Sequence, residues 1–129
     1  MAMFMVLDPA QYDVIVSNNL FGDILTDLGA AIQGGLGIAA SGNIHPGKVS
    51  LFEPVHGSAP PLAGKGIANP IGAILTSAMM LEYLGFPTES DAIEVAVRDA
   101  VSANETTTDL GGDLSTEQAG SAVIAHLRL

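Results

Sequence analysis

The start of the chain alternates between helix-like and strand-like patterns of apolar residues. Residues 1–7 resemble the last turns of a helix that Asp8-Pro9 closes, because proline disfavours helix in the residue before it. Residues 12–19, YDVIVSNN, form a short apolar run rich in β-branched side chains and predict a buried strand. Apolar residues then recur at helical spacing over 20–33, and the asparagines just before them can cap this helix. The pattern predicts a helix end, a strand and a helix in this order.

The middle of the chain is rich in glycine and proline. Residues 40–48, ASGNIHPGK, predict a loop, and residues 49–55, VSLFEPV, predict a second strand. Residues 56–70, HGSAPPLAGKGIANP, have no apolar periodicity and predict a long irregular segment. Loops of this length without secondary structure are uncommon and are usually functional.

Three helices are predicted after this segment. Residues 71–85 are apolar nearly all round, which predicts a deeply buried helix. Residues 90–104 form an amphipathic pattern with Ser90 as the predicted N-cap, and Ser115 with Gln118 predicts a capping box for a final helix. Strands that alternate with helices indicate an α/β fold, but the few predicted strands are too few for a complete doubly wound sheet. The chain therefore has the pattern of a portion of an α/β fold.

Composition narrows the function classes. Hydrophobic residues make up 48% of the 129 residues and the mean hydropathy is +0.42, which excludes a disordered chain. A net charge of −10 argues against nucleic acid and anionic membranes as partners and favours a cation. The first residues carry no basic segment of the kind that begins a signal peptide, and no apolar run reaches the ~20 residues that span a membrane. The absence of cysteine fits a cytoplasmic protein.

Two aspartates lie one helical turn apart in the apolar segment NNLFGDILTDLGAAIQGGLGI, residues 18–38. Asp23 and Asp27 repel each other at this spacing by about 0.2–0.5 kcal/mol on a helix. One interpretation is a solvated helix face. The other is a site for Mg²⁺ or Mn²⁺, because a hard divalent cation bound by both carboxylates converts the repulsion into attraction.

The glycine-rich segment 56–70 is also open to two interpretations. It is neither a Walker A motif nor a GxGxxG motif, so its pattern alone is compatible with an ordinary surface loop. Its small residues and free backbone amides would equally allow a nucleotide to approach the main chain. His56 begins the segment and is the histidine of greatest interest in the sequence.

The segments NLFGDILTDLGAAIQGGLGI and FEPVHGSAPPLAGKGIANP, followed by DLGG at 109–112, closely resemble one enzyme family. This family is the metal-dependent, NAD(P)-dependent β-decarboxylating dehydrogenases, which includes the 3-isopropylmalate, isocitrate, homoisocitrate and tartrate dehydrogenases. FGDIL with EPVHGSAP is most similar to the isopropylmalate branch, which acts in leucine biosynthesis. The resemblance implies the C-terminal portion of a two-domain fold.

The resemblance also implies a role for particular residues. Asp23 and Asp27 match the metal-binding aspartates of the family, where Mg²⁺ or Mn²⁺ chelates a small 2-hydroxy acid substrate. The matching cofactor residues wrap the adenosine half of NAD or lie close to it: Glu53, His56, Gly57, Ser58, Ala59 and Asn69.

The match covers only the last third or so of a family member. The arginines that clamp the substrate, the catalytic tyrosine and lysine, and a third metal aspartate precede the matched region in the family. We therefore expect no catalytic residue in this chain and no turnover by the chain alone. Pro61 replaces an aspartate that NAD-using members carry, so we expect NAD to be preferred with narrower discrimination against NADP.

The resemblance further implies two domain segments and self-association. Residues 1–33 would end the dimer-interface domain and carry the metal-binding helix, and residues 34–129 would form the C-terminal half of the dinucleotide-binding domain. A homodimer or higher oligomer is expected. Two alternatives remain at this point, namely a non-catalytic module that binds nucleotide or metal, and a structural remnant that associates through an exposed sheet edge.

Overall fold

A computed structural model describes residues 1–128, and its chain forms two compact units. The first unit is Met1–Leu36, and the second begins at Gly37.

The first unit consists of two helices. Helix α1 spans Ala2–Leu7 and helix α2 spans Asn19–Gln33, with a single 3-10 turn at Pro9–Gln11 between them. Asn18 caps α2, because its side-chain oxygen accepts a hydrogen bond from the amide of Phe21 at 3.1 Å. The helix end predicted before Asp8-Pro9 and the helix predicted over 20–33 are both confirmed.

The strand predicted over 12–19 is wrong. Residues 12–18 have no regular secondary structure, and Val14 and Val16 are 81% and 93% exposed. A buried strand needs neighbouring strands to receive its backbone hydrogen bonds, and in residues 1–128 the only sheet is formed by two strands elsewhere. The β-branched composition was correctly recognised, but the pairing that turns such a run into a strand is not local.

The second unit begins with an antiparallel hairpin. Strand β1, Ala40–Asn43, pairs with strand β2, Leu51–Pro54, so that Ala40 lies opposite Pro54. The predicted loop at 40–48 is therefore wrong in its first residues, while the second predicted strand is confirmed. A Cβ at Gly42 would lie 3.1 Å from ring atoms of Phe52, so the strand backbone packs directly on this ring. Such close approach stabilises a strand whose own residues have low β propensity.

Three helices complete the second unit. Helix α3 spans Ile71–Tyr83, α4 spans Pro87–Ser102 and α5 spans Thr116–His126. Helix α3 packs against both strands and against α4, which also packs against α5. The buried core of this unit contains one residue of α3, three of α4 and one of α5: Ile71, Ala96, Val97, Ala100 and Val123. Helix α3 is less buried than predicted, because the end of its apolar surface is exposed at Met80 and Leu84.

Helix α4 begins earlier than predicted. Pro87 occupies its first turn, where the fixed φ of proline favours helix and the missing N–H costs nothing. Ser90, the predicted N-cap, is instead buried inside the helix, and its amide donates to the carbonyl of Phe86 at 3.1 Å. The capping box predicted for the last helix is confirmed, since Ser115 and Gln118 exchange both of its hydrogen bonds.

Candidate functional site

Helix α2 presents Asp23 and Asp27 as exposed side chains one turn apart. The amide nitrogen Nδ2 of Asn19 donates to Asp23 Oδ2 over a long 3.4 Å, and within residues 1–128 the Asp27 carboxylate has no hydrogen-bond partner. Nearly all of their lone pairs are thus available to a ligand. Their arrangement fits a hard divalent cation, which one or two carboxylates commonly hold together with water and substrate.

No third protein ligand joins this pair in the described chain. Residues 1–128 contain no group of three or more His, Cys, Asp or Glu side chains placed to hold one ion. An ion bound by these two aspartates would therefore need oxygen atoms from outside the described residues to complete its coordination.

The segment that follows β2 is an exposed loop, as predicted. Glu53 lies exposed on β2 opposite Ser41, and residues 56–59 are exposed at the beginning of the loop. The backbone amides of residues 56–59 donate no hydrogen bond within the described residues. Nδ1 of His56 lies 3.0 Å from the carbonyl oxygen of Gly57, and a Cβ at Gly57 would meet no atom within 4 Å. Consecutive free amides with open space beside them suit phosphate or ribose oxygens.

Backbone strain marks the end of this amide run. Ala59 has a φ of 42°, in the left-handed region that alanine adopts only at a cost of about 1–2 kcal/mol. Its carbonyl oxygen accepts from the amide of Leu62 at 2.8 Å, which closes a 3-10 turn over Pro60–Leu62. Strain of this kind clusters at ligand-binding loops.

Asn69 fixes the other end of the loop with both halves of its side chain. Its Oδ1 accepts from the amide of Ile71 at 2.9 Å and so satisfies an N–H at the start of α3. Its Nδ2 donates to Oδ2 of Asp109 at 2.9 Å. The other oxygen of Asp109 accepts from the hydroxyl of Thr107 at 2.5 Å. Sequence reasoning assigned no role to Thr107 or Asp109, although the DLGG motif begins at Asp109.

Thr116 holds the loop at a second point. Its amide donates to the carbonyl of Gly66 at 2.8 Å and its hydroxyl donates to the carbonyl of Ala68 at 2.5 Å. Thr116 directly follows Ser115, the predicted cap of α5, so the capping motif in the sequence lies next to this contact. The loop is therefore free at residues 56–59 and anchored from residue 66 to residue 69.

His126 lies near the end of α5 and contacts a carboxylate. Its Nε2 lies 2.8 Å from Oε2 of Glu105, and 27% of its side chain is exposed. The last turn of α5 is thereby joined to the segment after α4, and His126 has no part in the loop.

Comparison with known proteins decides the family. The family model for isocitrate/isopropylmalate dehydrogenase matches residues 1–123. The chain belongs to this family. It is 51% identical to the 3-isopropylmalate dehydrogenase of Corynebacterium kroppenstedtii and 53% identical to the isocitrate/homoisocitrate dehydrogenase of Thermus thermophilus, each over 127 residues. The crystal structure of isocitrate dehydrogenase from Methylococcus capsulatus superposes with a TM-score of 0.94 at 46% identity.

These alignments cover nearly all of the chain but a minor part of each relative. They include 97% of the chain against the Corynebacterium enzyme, 98% against the Thermus enzyme and 99% against the Methylococcus structure. They cover only 35%, 38% and 38% of those proteins. The predicted fold class, α/β as the C-terminal portion of this dehydrogenase fold, is confirmed. None of the helices within residues 1–128 has the length and apolarity required to cross a membrane.

Proposed function

We propose that the chain is part of a metal-dependent, NAD-linked enzyme that oxidatively decarboxylates a small 2-hydroxy acid. The observation that carries this proposal is the loop after β2, in which four exposed amides are free while the far end is anchored by Asn69. Family membership supplies the reaction class, and the open carboxylate pair on α2 supplies the metal ligands that this class requires.

Asp23 and Asp27 are proposed to hold Mg²⁺ or Mn²⁺. When bound, such an ion acts as a Lewis acid that polarises the substrate hydroxyl and stabilises the enolate left by loss of CO₂. The two aspartates contribute charge and orientation. Helix α2, which Asn18 caps, holds the backbone of the two aspartates one turn apart before the ion arrives.

The residues proposed to bind the cofactor are Glu53, His56, Gly57, Ser58, Ala59 and Asn69. The amides of the loop would donate to oxygens of the adenosine half, and the nearby side chains would limit its position. Pro61 is exposed and offers neither an acceptor for the ribose hydroxyls nor a charge against a 2′-phosphate. Lys65 is the one cation in the loop segment, so we propose that NAD is preferred over NADP by a narrow margin.

Isopropylmalate is the proposed substrate, with tartrate, isocitrate or homoisocitrate as the alternative. The relatives named for each substrate are similarly identical to the chain, at 51% and 53%. The motifs FGDIL and EPVHGSAP favour isopropylmalate.

We further propose that residues 1–33 belong to the dimer-interface domain and residues 34–129 to the dinucleotide-binding domain. A homodimer or higher oligomer and a cytoplasmic location remain predictions. The first rests on the family resemblance and the second on the absence of cysteine.

Titration calorimetry of the purified chain with NAD⁺ tests the proposed cofactor site. We expect weak, saturable binding, and a weaker interaction after Ser58→Pro, which removes one of the free amides of the loop. Leu62→Ala, at the 3-10 turn, is the control for loop packing. Equal affinity for NAD⁺ in Ser58→Pro and the unchanged chain would contradict the proposed site.

A chimera tests the activity itself. The chain is joined to the N-terminal part of the Corynebacterium kroppenstedtii enzyme and assayed with isopropylmalate, isocitrate and homoisocitrate in the presence of Mn²⁺ and NAD⁺ or NADP⁺. We expect turnover by the chimera and none by the chain alone. Turnover by the chain alone at the rate of the chimera, or better use of NADP⁺ than of NAD⁺, would overturn the corresponding part of the proposal.

A further inference from the structure

We propose that Asp109 is a positioning residue for the nucleotide-binding loop and acts through Asn69 without touching the cofactor. The inference rests on the proposed function, because it assigns the purpose of the loop to NAD binding. The contact itself is a property of the fold and is measurable without any ligand.

The carboxylate of Asp109 joins two segments that are far apart in sequence. It accepts from Nδ2 of Asn69 at 2.9 Å, forty positions away, and from the hydroxyl of Thr107 at 2.5 Å. The Asn69 side chain in turn accepts from the amide of Ile71 at the start of α3. Asp109 therefore decides which way the Asn69 amide faces, because a carboxylate can only accept and so must meet the NH₂ group.

The backbone of Gly37 closes one side of this contact. A Cβ at Gly37 would lie 2.7 Å from Oδ2 of Asp109 and 3.1 Å from Cβ of Asn69. The main chain thus packs directly against both side chains and leaves no room for either to turn away on that side. Thr107, which is 0% exposed, holds the carboxylate from another direction.

The charge of Asp109 is better suited to positioning than to binding NAD. A carboxylate binds NAD by accepting hydrogen bonds from ribose hydroxyls, whereas both oxygens of Asp109 already accept hydrogen bonds from the protein. Hydrogen bonds to a charged acceptor are stronger than those to a neutral one, so the carboxylate fixes Asn69 firmly. The benefit to the loop is that residues 66–69 are held in place while residues 56–59 remain free to receive a ligand.

A double-mutant cycle with NAD⁺ as the probe tests the inference on the whole chain. Asp109→Ala is expected to raise the dissociation constant for NAD⁺ about tenfold, as loss of one charge-assisted hydrogen bond would do. In the Asn69→Ala background the same substitution is expected to change it less than about twofold, because the residue through which it acts is gone. Thr106→Val is the control for a change in the same segment, since the Thr106 hydroxyl has no hydrogen-bond partner within the described residues. Full additivity of the two effects would overturn the inference.

The conservative variant separates hydrogen bonding from charge. In Asp109→Asn the new amide oxygen can still accept from Asn69 while the Thr107 hydroxyl reverses its role and accepts. We expect a clearly smaller loss of NAD⁺ affinity than in Asp109→Ala, because both contacts survive and only the charge assistance is lost. A loss as large as that of Asp109→Ala would assign the effect to charge and overturn the positioning role. This variant also keeps the inference testable if Asp109→Ala does not fold.

Hydrogen exchange of the ligand-free chain gives the second readout. Asp109→Ala is expected to speed exchange of the Ile71 amide and of the Asn69 side-chain amide about tenfold, since both depend on a fixed Asn69. Thr106→Val should leave both rates unchanged. Unchanged rates in Asp109→Ala would overturn the inference whether or not NAD⁺ binds. Absence of NAD⁺ binding by the unchanged chain, with faster exchange in Asp109→Ala, would instead contradict the proposed function and retain Asp109 as the residue that positions Asn69.

Discussion

The carboxylates of α2 and the carboxylate of Asp109 are held in opposite ways. Asp23 and Asp27 are exposed and have almost no hydrogen bonds within the described residues, whereas both oxygens of Asp109 accept from neighbouring side chains. The first arrangement leaves negative charge available to an incoming ion. The second uses negative charge internally to fix a neighbouring amide.

This difference separates the two roles that we propose for carboxylates in this chain. A proposed metal ligand needs lone pairs that no other group occupies, and Asp23 and Asp27 keep such lone pairs at the cost of their mutual repulsion. A positioning residue must be held by hydrogen bonds on all of its acceptor atoms, as both oxygens of Asp109 are. The number of internal hydrogen bonds on a carboxylate is thus a better guide to its role than its exposure, because Asp109 is also exposed.

The largest loss of stability is expected at Gly112, three residues after Asp109, where neighbouring atoms leave no space for a side chain. In Gly112→Ala the new Cβ would overlap the carbonyl oxygen of Thr106, a backbone atom that cannot move aside cheaply. We expect a loss of about 3 kcal/mol or more in the free energy of unfolding, at or above the usual range for overpacking. Urea denaturation followed by circular dichroism measures it.

Gly120→Ala is the matched control for this substitution. A Cβ at Gly120, in the interior of α5, would meet no atom within 4 Å. Alanine there should stabilise the chain by about 0.5–1 kcal/mol through its higher helix propensity. Equal effects at the two glycines would show that the loss of stability at Gly112 does not come from the lack of space beside Thr106.

The two buried threonines beside Asp109 should respond differently to the same substitution. Thr107→Val removes a donor from the carboxylate and is expected to cost about 1–3 kcal/mol of unfolding free energy. Thr106→Val removes a hydroxyl that has no partner in the described chain, so the expected change is between zero and a stabilisation of about 1 kcal/mol. Thermal and urea unfolding of both variants measure the difference. A larger loss in Thr106→Val than in Thr107→Val would show that Asp109 does not depend on the Thr107 hydroxyl.

Sequence reasoning succeeded where the signal is local. The asparagine cap of α2 and the capping box at Ser115 and Gln118 are set by residues within one turn, and both are observed. It failed where pairing is long-range. Residues 12–19 have strand composition without a partner strand, and Ala40–Asn43 pairs as a strand despite its loop-like composition. Local propensity cannot decide either case, because the partner determines the outcome.

The candidate site divides in the same way. Asp23, Asp27 and the loop residues 56–59 could be named from motifs that are contiguous in sequence. The bond from Asn69 to Asp109 spans forty positions, and neither residue carries a pattern that names the other. Only the DLGG motif drew attention to the region, without indicating that its first residue fixes the loop.

Divalent metal binding is the direct test of the open carboxylate pair. Asp23→Asn and Asp27→Asn are each expected to weaken Mn²⁺ binding at least about tenfold, the lower limit of what loss of an outer-shell partner costs at metal sites. Water proton relaxation during Mn²⁺ titration measures the dissociation constant.

Asp99→Asn is the control for net charge. It removes one negative charge from an exposed position on α4 and leaves α2 unchanged. We expect its Mn²⁺ affinity to be within about twofold of the unchanged chain, because salt screens an exposed charge that is not itself a ligand of the ion. The same affinity in Asp23→Asn, Asp27→Asn and the unchanged chain would return the pair to a solvated helix face.

The smallest effect is expected for the stability of α2 itself. Without metal, Asp27→Asn removes the repulsion from Asp23 and should raise the free energy of unfolding by about 0.2–0.5 kcal/mol. Glu94→Gln on α4 is a matched control that is expected to lower the free energy of unfolding. Glu94 precedes Arg98 by one helical turn, and opposite charges at this spacing stabilise a helix by a similar amount. Urea denaturation at low ionic strength compares the two, and added salt should shrink both effects through screening.

Saturating Mn²⁺ should reverse the order of stability of Asp27→Asn and the unchanged chain, because the ion stabilises only the folded state that binds it. If Asp27→Asn remained more stable than the unchanged chain at saturating Mn²⁺, no bound cation would offset the repulsion on α2. Asp23 and Asp27 would then differ from Asp109 only in how they are packed.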